Sequence, residues 1–263
     1  MQFPGRNLKF SGKLHNCFKL LLAVLFLFPI LMILFKSFQW DNRLSLLQYF
    51  SLLRPRSVFW IFFRNSIILT VPVVILQLVI ALPAAYAFAR LRGKAVHKIF
   101  YLYIVTMMMP YIVTMVPHYL IADKLGLLGG FSAVILPGAF GTFGVFLLKQ
   151  TIQTIPSAVY DEAEMEGASQ RQILIYIVLP LAKSGIFALV LLLFADQWNS
   201  IEPPLILLQG AKKFPLSVFM DGDINAISEN LYAAALITLM IPLAVFFLLQ
   251  KHLKNGMGTF MSK

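Results

Sequence analysis

The sequence has little charge and almost no cysteine for its length. Of its 263 residues, 13% are charged and 59% are hydrophobic, and the mean hydropathy is +0.81. So few polar side chains cannot cover a water-soluble globule of this size, and the excess apolar surface must therefore face lipid. The one cysteine, Cys17, excludes an internal disulfide. It precedes an apolar segment instead of following one, which does not fit a lipoprotein acylation site.

Three catalytic patterns are also missing. The four histidines are scattered without metal-ligand spacing, so we expect no metal site. The phosphate-binding pattern G-x-x-x-x-G-K-[ST] does not occur, so the chain cannot cradle nucleotide phosphates by itself. We find no convergent nucleophile and base, which an intramembrane enzyme requires. The chain is therefore expected to be non-enzymatic and to hold no cofactor, and any step that uses ATP must be driven from outside it.

What the sequence does contain is a series of long apolar runs. A transmembrane helix needs about 20 mainly apolar residues to cross roughly 30 Å of hydrocarbon. Scanning for such runs predicts six spans, at residues 18–35, 66–89, 99–121, 131–148, 184–206 and 231–249. We therefore predict an all-α polytopic membrane protein with its membrane domain at residues 17–250. Short tails at 1–16 and 251–263 flank this domain, and the second is expected to be extended from Gly256 onward.

The distribution of basic residues predicts the orientation in the membrane. Two clusters lack acidic neighbours, namely Arg6, Lys9, Lys13 and Lys19 around the start of the first span, and Arg90, Arg92, Lys94 and Lys98 after the second. Cytoplasmic loops carry an excess of Lys and Arg, so both clusters and both termini are expected in the cytoplasm. This orientation leaves Arg54, Arg56 and Arg64 on the outer side without a role. The net charge of +11 then reflects topology and anionic lipid, not nucleic-acid binding.

A charged segment at residues 151–183 separates the fourth and fifth predicted spans. After Pro156, which suits the start of a helix, apolar residues recur every four positions and predict a short helix with a narrow apolar stripe. Gly167 is expected to end this helix, because glycine accepts the left-handed conformation. Ser169 and Gln172 form the capping-box pattern S-x-x-Q and predict a second helix. Pro180 is expected at the junction of that helix with the fifth span.

Four carboxylates crowd the remaining faces of the first predicted helix, namely Asp161, Glu162, Glu164 and Glu166. Helices that lie on a membrane surface usually present Lys and Arg to lipid phosphates. Repulsion from anionic lipid therefore favours an aqueous protein partner that carries basic groups. An amphipathic loop lying on the membrane is the alternative interpretation.

The segment YDEAEMEGASQRQILIYIVLPL resembles the cytoplasmic coupling loop, or EAA loop, of permease subunits of bacterial ABC importers. The likeness rests on Glu162-Ala163, Gly167-Ala168 and Leu179-Pro180. Other fragments are similar to the shorter, maltose-type, six-span subunit of the carbohydrate-uptake branch, among them NSIILT, AAYAFARLRG, MMMPYIVTMVPHYLIADKLGLLG, FLLKQTIQTIP, WNSIEPPLILL and QKHLKNGM. Two positions depart from the pattern. Glu164 stands where the family commonly has a second alanine, and Glu166 where it commonly has aspartate, so the cognate ATPase is expected to be a dedicated one.

This resemblance implies a type I importer permease that moves a sugar or related polyhydroxyl solute by alternating access. It implies a heterodimer with a second permease, two ATPase subunits that bind ATP and Mg, an extracytoplasmic solute-binding protein, and a place in the bacterial plasma membrane. Docking on the ATPase is assigned by the resemblance to the coupling loop, at Asp161, Glu162, Ala163, Glu166, Gly167 and Ala168. The resemblance does not identify the solute, and mono-, di- and oligosaccharides, polyols and acidic sugars all remain open.

Polar side chains near the end of the fifth span are the candidates for the substrate path. Asp196 would cost about 2.5 to 3.5 kcal/mol in mid-bilayer lipid, so it is expected to face the cavity, a partner helix or the outer interface. Gln197, Trp198 and Asn199 offer the aromatic face and amide groups that a polyhydroxyl solute uses. Packing at the heterodimer seam is the alternative for Trp198 and Asn199. An ion-coupled secondary transporter is the alternative function, although it would normally show more ionisable residues in mid-membrane.

Overall fold

The computed structural model describes residues 12–40, 43–55, 57–221 and 230–261. Most of the predicted tail at 1–16, with Arg6 and Lys9, therefore lies outside the described residues. So do Arg56 and the last two residues of the tail at 251–263.

The described chain is almost entirely helical, which confirms the predicted fold class. We number the helices α1 (Gly12–Ser37), α2 (Leu47–Leu52), α3 (Val58–Arg90), α4 (Lys94–Met107), α5 (Tyr111–Lys124), α6 (Ser132–Ala139), α7 (Thr142–Ile152), α8 (Ser157–Met165), α9 (Gln170–Gln172), α10 (Leu179–Leu181), α11 (Lys183–Trp198), α12 (Glu202–Leu207), α13 (Leu216–Asp221) and α14 (Leu231–Met261). A π-helical stretch, Ile173–Val178, joins α9 to α10, and a 3-10 turn, Ala211–Lys213, follows α12. Two-residue antiparallel strands, β1 (Gln39–Trp40) and β2 (Arg43–Leu44), form a small hairpin.

Four helical segments of the described chain are long and apolar enough to cross a membrane by themselves, at 16–37, 58–90, 132–152 and 231–253. The third predicted span is broken into α4 and α5, and the fifth is divided between α11 and α12. The axis bends by 97° between α4 and α5, and by 75° between the α9–α10 segment and α11. If each bent pair is one span, the described residues hold up to six. The first bend falls at Met108 to Pro110, since proline lacks an N–H group and disfavours helix at the residue before it.

The carboxyl end of the chain differs from the prediction. We expected an extended tail from Gly256, and this is wrong for the described part, because α14 continues to Met261. Extending a helix that already exists requires no new nucleus, and each glycine costs only about 1 kcal/mol in a helix interior. Gly256 and Gly258 therefore do not stop α14.

The longest helix, α3, is the axis of the bundle and packs against α6, α7, α11 and α13. Its buried residues include Val73 and Ala85, both fully covered by neighbouring helices. At the start of α11, Gly185 lies so close to α7 that a β-carbon there would collide with Thr151. In contrast, α1 packs mainly on α14, and the 18-residue apolar window within 16–37 contains no buried residue. That surface is left for lipid or a partner subunit.

Candidate functional site

The coupling loop folds as the sequence predicts, beginning with α8. Helix α8 starts directly after Pro156 and ends in a turn in which Gly167 has φ of +84°. The Ala168 N–H donates to the Ala163 carbonyl and the Gly167 N–H to the Glu164 carbonyl, both at 3.0 Å. These two bonds form a Schellman motif, which satisfies the last carbonyls of the helix and requires the left-handed residue. Glycine is therefore needed at this position for a backbone reason.

The second helix of the loop begins with the predicted capping box. The Ser169 N–H donates to Gln172 Oε1 at 2.8 Å, and the Gln172 N–H donates to Ser169 Oγ at 3.4 Å. The helix then runs through the π-helical stretch to Leu181, and the chain bends at Ala182, which is fully buried. Pro180 therefore lies inside the last turn, and the junction with α11 is two residues further on than we predicted.

A polar network ties the loop to the end of α3. Arg90 Nη2 donates to Glu164 Oε1 at 3.0 Å, and Gln170 Nε2 donates to the same oxygen at 3.1 Å. The Tyr86 hydroxyl donates to Gln170 Oε1 at 2.6 Å. The Arg90 guanidinium also lies over the Tyr160 ring, 4.2 Å from its centroid. We call these five residues the anchor network. It joins two parts of the chain that are 74 residues apart in sequence.

The anchor network explains the departure from the family pattern at Glu164. This carboxylate points back to α3, so it is not free to face a partner in the way that its neighbours are. The hydrogen bond from Gln170, followed by that from Arg90, lowers the pKa of Glu164 and keeps it ionised. Burial raises the pKa of the Tyr160 hydroxyl, which Arg90 partly offsets, so Tyr160 stays neutral. No sequence pattern indicated the pairing of Arg90 with Glu164, because Arg90 was interpreted as part of a basic loop.

The candidate docking residues divide into exposed and supporting positions. Asp161, Glu162, Glu166 and Gly167 are exposed along α8 and the turn that ends it, and we call these residues the acidic surface of the loop. Ala163 is 8% exposed and packs inward in the same apolar cluster as Tyr160 and Ala85, and Ala168 is half-buried. The two alanines therefore hold the loop in shape more than they offer surface. Between the acids, Met165 is 89% exposed, which sequence analysis did not single out.

A large cleft opens in the membrane-spanning part of the bundle. Its volume is about 1130 Å³, and α3, α4, α5, α6, α7, α11 and α12 all contribute to its walls. Gln77 reaches it from α3, and Asp196 from α11. Each lies 13 residues from the coupling end of its helix, counted from Arg90 and Lys183, which is about 20 Å at 1.5 Å per residue. The cleft is thus set deep in the bundle, and two of its walls lead directly to the coupling loop.

Three of the four substrate-path candidates line this cleft. They are Asp196, Gln197 and Asn199, and Gln197 Nε2 donates to Asp196 Oδ2 at 3.1 Å. Trp198 lies elsewhere: its side chain is 2% exposed, and its indole N–H donates to the Thr238 carbonyl on α14 at 3.2 Å. The structure therefore places its ring in the packing between helices of this chain.

Other polar groups of the cleft were not foreseen from the sequence. Glu202, in the first turn of α12, adds a second carboxylate to the wall. His118 also lines the cleft, and its Nδ1 atom is buried without a hydrogen-bond partner among the described residues. Both residues come from segments that the sequence assigned to apolar spans or their edges, where a single polar residue carries no positional signal.

Comparison with known proteins fits this architecture. The sequence model of the family described as "binding-protein-dependent transport system inner membrane component" matches residues 77–259. A probable ABC transporter permease protein of Pyrococcus horikoshii is 31% identical over 199 residues, which are 74% of this chain and 72% of that protein. The arabinooligosaccharides transport system permease protein AraQ of Bacillus subtilis is 26% identical over 257 residues, covering 91% and 92%.

A solved structure shares the fold over nearly the whole chain. It is the crystal structure of a bacterial ABC transporter involved in the import of the acidic polysaccharide alginate, with a TM-score of 0.80 and 24% identity over 95% of this chain and 99% of the matched one. The family match spans well over half of the sequence and includes both the coupling loop and the cleft carboxylates. This chain therefore belongs to the family of inner membrane components of binding-protein-dependent transport systems, and it is a permease subunit of an ABC importer.

Proposed function

We propose that this chain imports a sugar or related polyhydroxyl solute by alternating access, driven by ATPase subunits that dock on its coupling loop. The full assembly would be a heterodimer with a second permease, two ATPase subunits that hold ATP and Mg, and an extracytoplasmic solute-binding protein. The names of relatives support the solute class, since two of them are permeases for arabinooligosaccharides and for lactose. The fold gives no support for nucleic-acid binding, and the exposed apolar helices fit contact with membrane lipid.

One observation carries the mechanism: the coupling loop is attached to α3 and α11, two of the helices that line the cleft. The anchor network joins α8 to the end of α3, and the second helix of the loop continues through Ala182 into α11. A rigid displacement of α8 therefore moves two helices that line the cleft. Closure of an ATPase dimer against the acidic surface would switch the cleft between outward-facing and inward-facing states. The exposed carboxylates of Asp161, Glu162 and Glu166, with Gly167, would be the docking groups.

The same placement supports the predicted orientation in the membrane. The basic residues of the α3–α4 connection, Arg92 and Lys94, lie at the same end of the bundle as the coupling loop. We place that end in the cytoplasm, where the ATPase subunits bind, and expect both termini there as well. The broken spans are a feature that ion-coupled carriers also have, but family membership favours the ATP-driven importer over that alternative.

The test is Gly167→Pro in the complete reconstituted complex, with Gly126→Pro as the matched control. Both glycines have positive φ, both donate an N–H to a helix carbonyl, and a β-carbon would meet open space at either. The two substitutions should therefore disturb the backbone equally. Gly167→Pro is expected to lower solute uptake per ATP hydrolysed, and Gly126→Pro to leave that ratio unchanged. An assembled Gly167→Pro complex with the normal ratio would contradict the docking assignment.

The solute class has a separate test. Proteoliposomes that contain the whole complex and its binding protein would be supplied with labelled arabinotriose, lactose, glycerol and trigalacturonate. We expect ATP-dependent uptake of at least one neutral sugar. Uptake of none of the carbohydrates, in a complex whose ATPase activity the binding protein stimulates, would count against a sugar importer.

A further inference from the structure

The charged side chains that line the cleft are all acidic. Asp196 and Glu202 both reach its wall, and among the described residues no lysine or arginine does. Both side chains are exposed. The ion pair found within the described chain joins Arg90 to Glu164, at the coupling end. The cleft therefore holds two carboxylates that no described cation neutralises.

Basic side chains that enter the bundle are held elsewhere. Lys213, in the turn after α12, donates from Nζ to the Gly129 carbonyl at 2.6 Å. Lys149 on α7 is 7% exposed, and its Nζ lies 3.9 Å from the centroid of the Phe100 ring. Neither residue lines the cleft. Either lysine would have to break its present contact in order to reach the cleft. Neither of them therefore balances the negative charge of the cleft.

We propose that Asp196 and Glu202 make this cleft selective against anionic solutes, such as uronic acids and sugar phosphates, and in favour of neutral polyhydroxyl or cationic ones. The physical reason is that carboxylates in a cleft with low-dielectric walls repel an anion much more strongly than they would in bulk water. The inference rests on the proposed function, because it requires the solute to pass through this cleft.

The uncharged polar groups of the cleft fit a hydroxyl-rich solute. Gln197 and Asn199 bring amide groups to the wall, and an amide can both donate and accept hydrogen bonds with a hydroxyl group. The hydroxyls of Thr106 and Thr114 donate to backbone carbonyls of their own helices, so their lone pairs remain as acceptors. The likeness to an importer of the acidic polysaccharide alginate, at 24% identity, concerns the fold alone. The lining predicts that this chain differs from it in the charge of its solute.

A thiol introduced by the substitution Ser200→Cys would measure the charge of the cleft directly. Ser200 lines the cleft between the two carboxylates in sequence, and serine to cysteine is a nearly isosteric change. The complete complex carrying this substitution would be treated with methanethiosulfonate reagents that bear either a trimethylammonium or a sulfonate group. Mass spectrometry of the peptide with position 200 gives the two labelling rates, and the same reagents on glutathione give the reference ratio. We expect the cationic reagent to be favoured at the introduced thiol by at least tenfold over that reference.

Neutralising the carboxylates tests whether they cause the preference. Asp196→Asn or Glu202→Gln should each lower the rate ratio several-fold, and the double variant should return it to the glutathione value. If one single variant fails to fold, the other still tests the proposal. Asp123→Asn is the matched control, since Asp123 is an exposed carboxylate on α5 that does not line the cleft. A parent ratio equal to that of glutathione, or a preference that survives in the double variant, would overturn the proposal.

A neutral reagent separates this inference from the proposed function. Labelling of the introduced thiol with benzylmaleimide, in a chain that also carries Cys17→Ser, is expected to block ATP hydrolysis that the solute-binding protein stimulates, because a filled cleft cannot complete the transport cycle. Unchanged hydrolysis after full labelling would remove the cleft from the transport route, whatever the rate ratio. Blocked hydrolysis without a charge preference would leave the route intact and refute charge selection alone.

Discussion

The coupling loop and the cleft both carry carboxylates, but these carboxylates have different hydrogen-bond and ion-pair partners in the two regions. At the loop, Glu164 is paired with Arg90 and Gln170, and its network fixes α8 on the end of α3. In the cleft, the one hydrogen bond to Asp196 among the described residues comes from the amide of the adjacent Gln197. Paired charge gives a rigid contact that can transmit a displacement, whereas unpaired charge leaves a polar surface for a passing molecule. Residue type alone therefore does not reveal the role of an acidic side chain in this family, and its partners do.

Substitution of Trp198 should have the largest effect on stability. This residue is adjacent in sequence to residues that line the cleft, but its own side chain lies in the packed interior. Its ring is stacked on Phe194 at 5.5 Å, and it is 2% exposed. Trp198→Ala should lower the free energy of unfolding by about 3 to 5 kcal/mol, measured by thermal unfolding of the purified complex. Trp60→Ala is the control, since Trp60 is 43% exposed, and should cost less than about 1 kcal/mol. A stable Trp198→Ala complex with altered solute preference would instead return Trp198 to the substrate path.

The comparison also shows what the sequence could predict. Helix α8, its end at Gly167 and the capping box at Ser169 all depend on neighbours within a few residues, and each was predicted correctly. The bend of 97° at Met108 to Pro110 interrupts a segment that was predicted as one span, because a proline in an apolar run bends a helix this sharply only where the surrounding helices accept the bend. The junction before α11 was predicted at Pro180, two residues before its position at Ala182.

Contacts between distant parts of the chain were beyond sequence reasoning. The anchor network joins residues from α3 and the coupling loop, and the burial of Trp198 depends on α14. In the cleft, Asp196 was found because a carboxylate in an apolar span is expensive, whereas Glu202 lies near the end of the same predicted span, where a carboxylate can reach the polar interface. From a single sequence, a charged residue can be recognised as a candidate functional residue only where its surroundings make the charge unfavourable.

The junction between loop and cleft is expected to be intolerant of added volume. A β-carbon at Gly185 would collide with Thr151 where α11 passes α7. Gly185→Val should therefore destabilise the bundle by about 1 to 3 kcal/mol, since overpacking forces backbone shifts. Thermal unfolding of the complex would measure this. The double variant with Thr151→Gly should recover most of the loss, and a double variant that is no more stable than Gly185→Val would show that the close approach is not the cause.

Removing the cation of the anchor network tests the rigid contact itself. Arg90→Ala deletes the ion pair to Glu164 and uncovers the Tyr160 ring. Both partners of the pair are partly exposed, at 22% and 41%, so solvent screening keeps the loss of local stability small. We expect hydrogen exchange in α8 to become a few-fold faster and uptake per ATP to fall.

Two further variants make the Arg90 result specific. Glu164→Gln combined with Arg90→Ala completes a double-mutant cycle, and the pair should cost less than the sum of the two single variants. Arg92→Ala removes an exposed arginine two residues away and should change neither readout. Equal hydrogen exchange in Arg90→Ala and Arg92→Ala would show that the network does not hold the loop.

The smallest expected effect is the pH dependence of the anchor network. The hydrogen bond from Gln170 and that from Arg90 lower the pKa of Glu164 in the folded loop. A carboxyl group whose folded pKa is lowered contributes its stability above the ordinary pKa of glutamate, about 4.3, and loses that contribution as the pH falls through the lowered value. Hydrogen exchange of α8 should therefore show no protection change from this group between about pH 8 and pH 5, and should lose protection only below that range.

Glu164→Gln should remove the acid-dependent step and leave a weaker, pH-independent contact, because a neutral amide can still bond to Gln170 but cannot pair with the guanidinium. A step of the same size in Glu164→Gln would assign the pH dependence to the exposed carboxylates of the acidic surface, and would place the charge that matters on the docking surface instead of on the anchor.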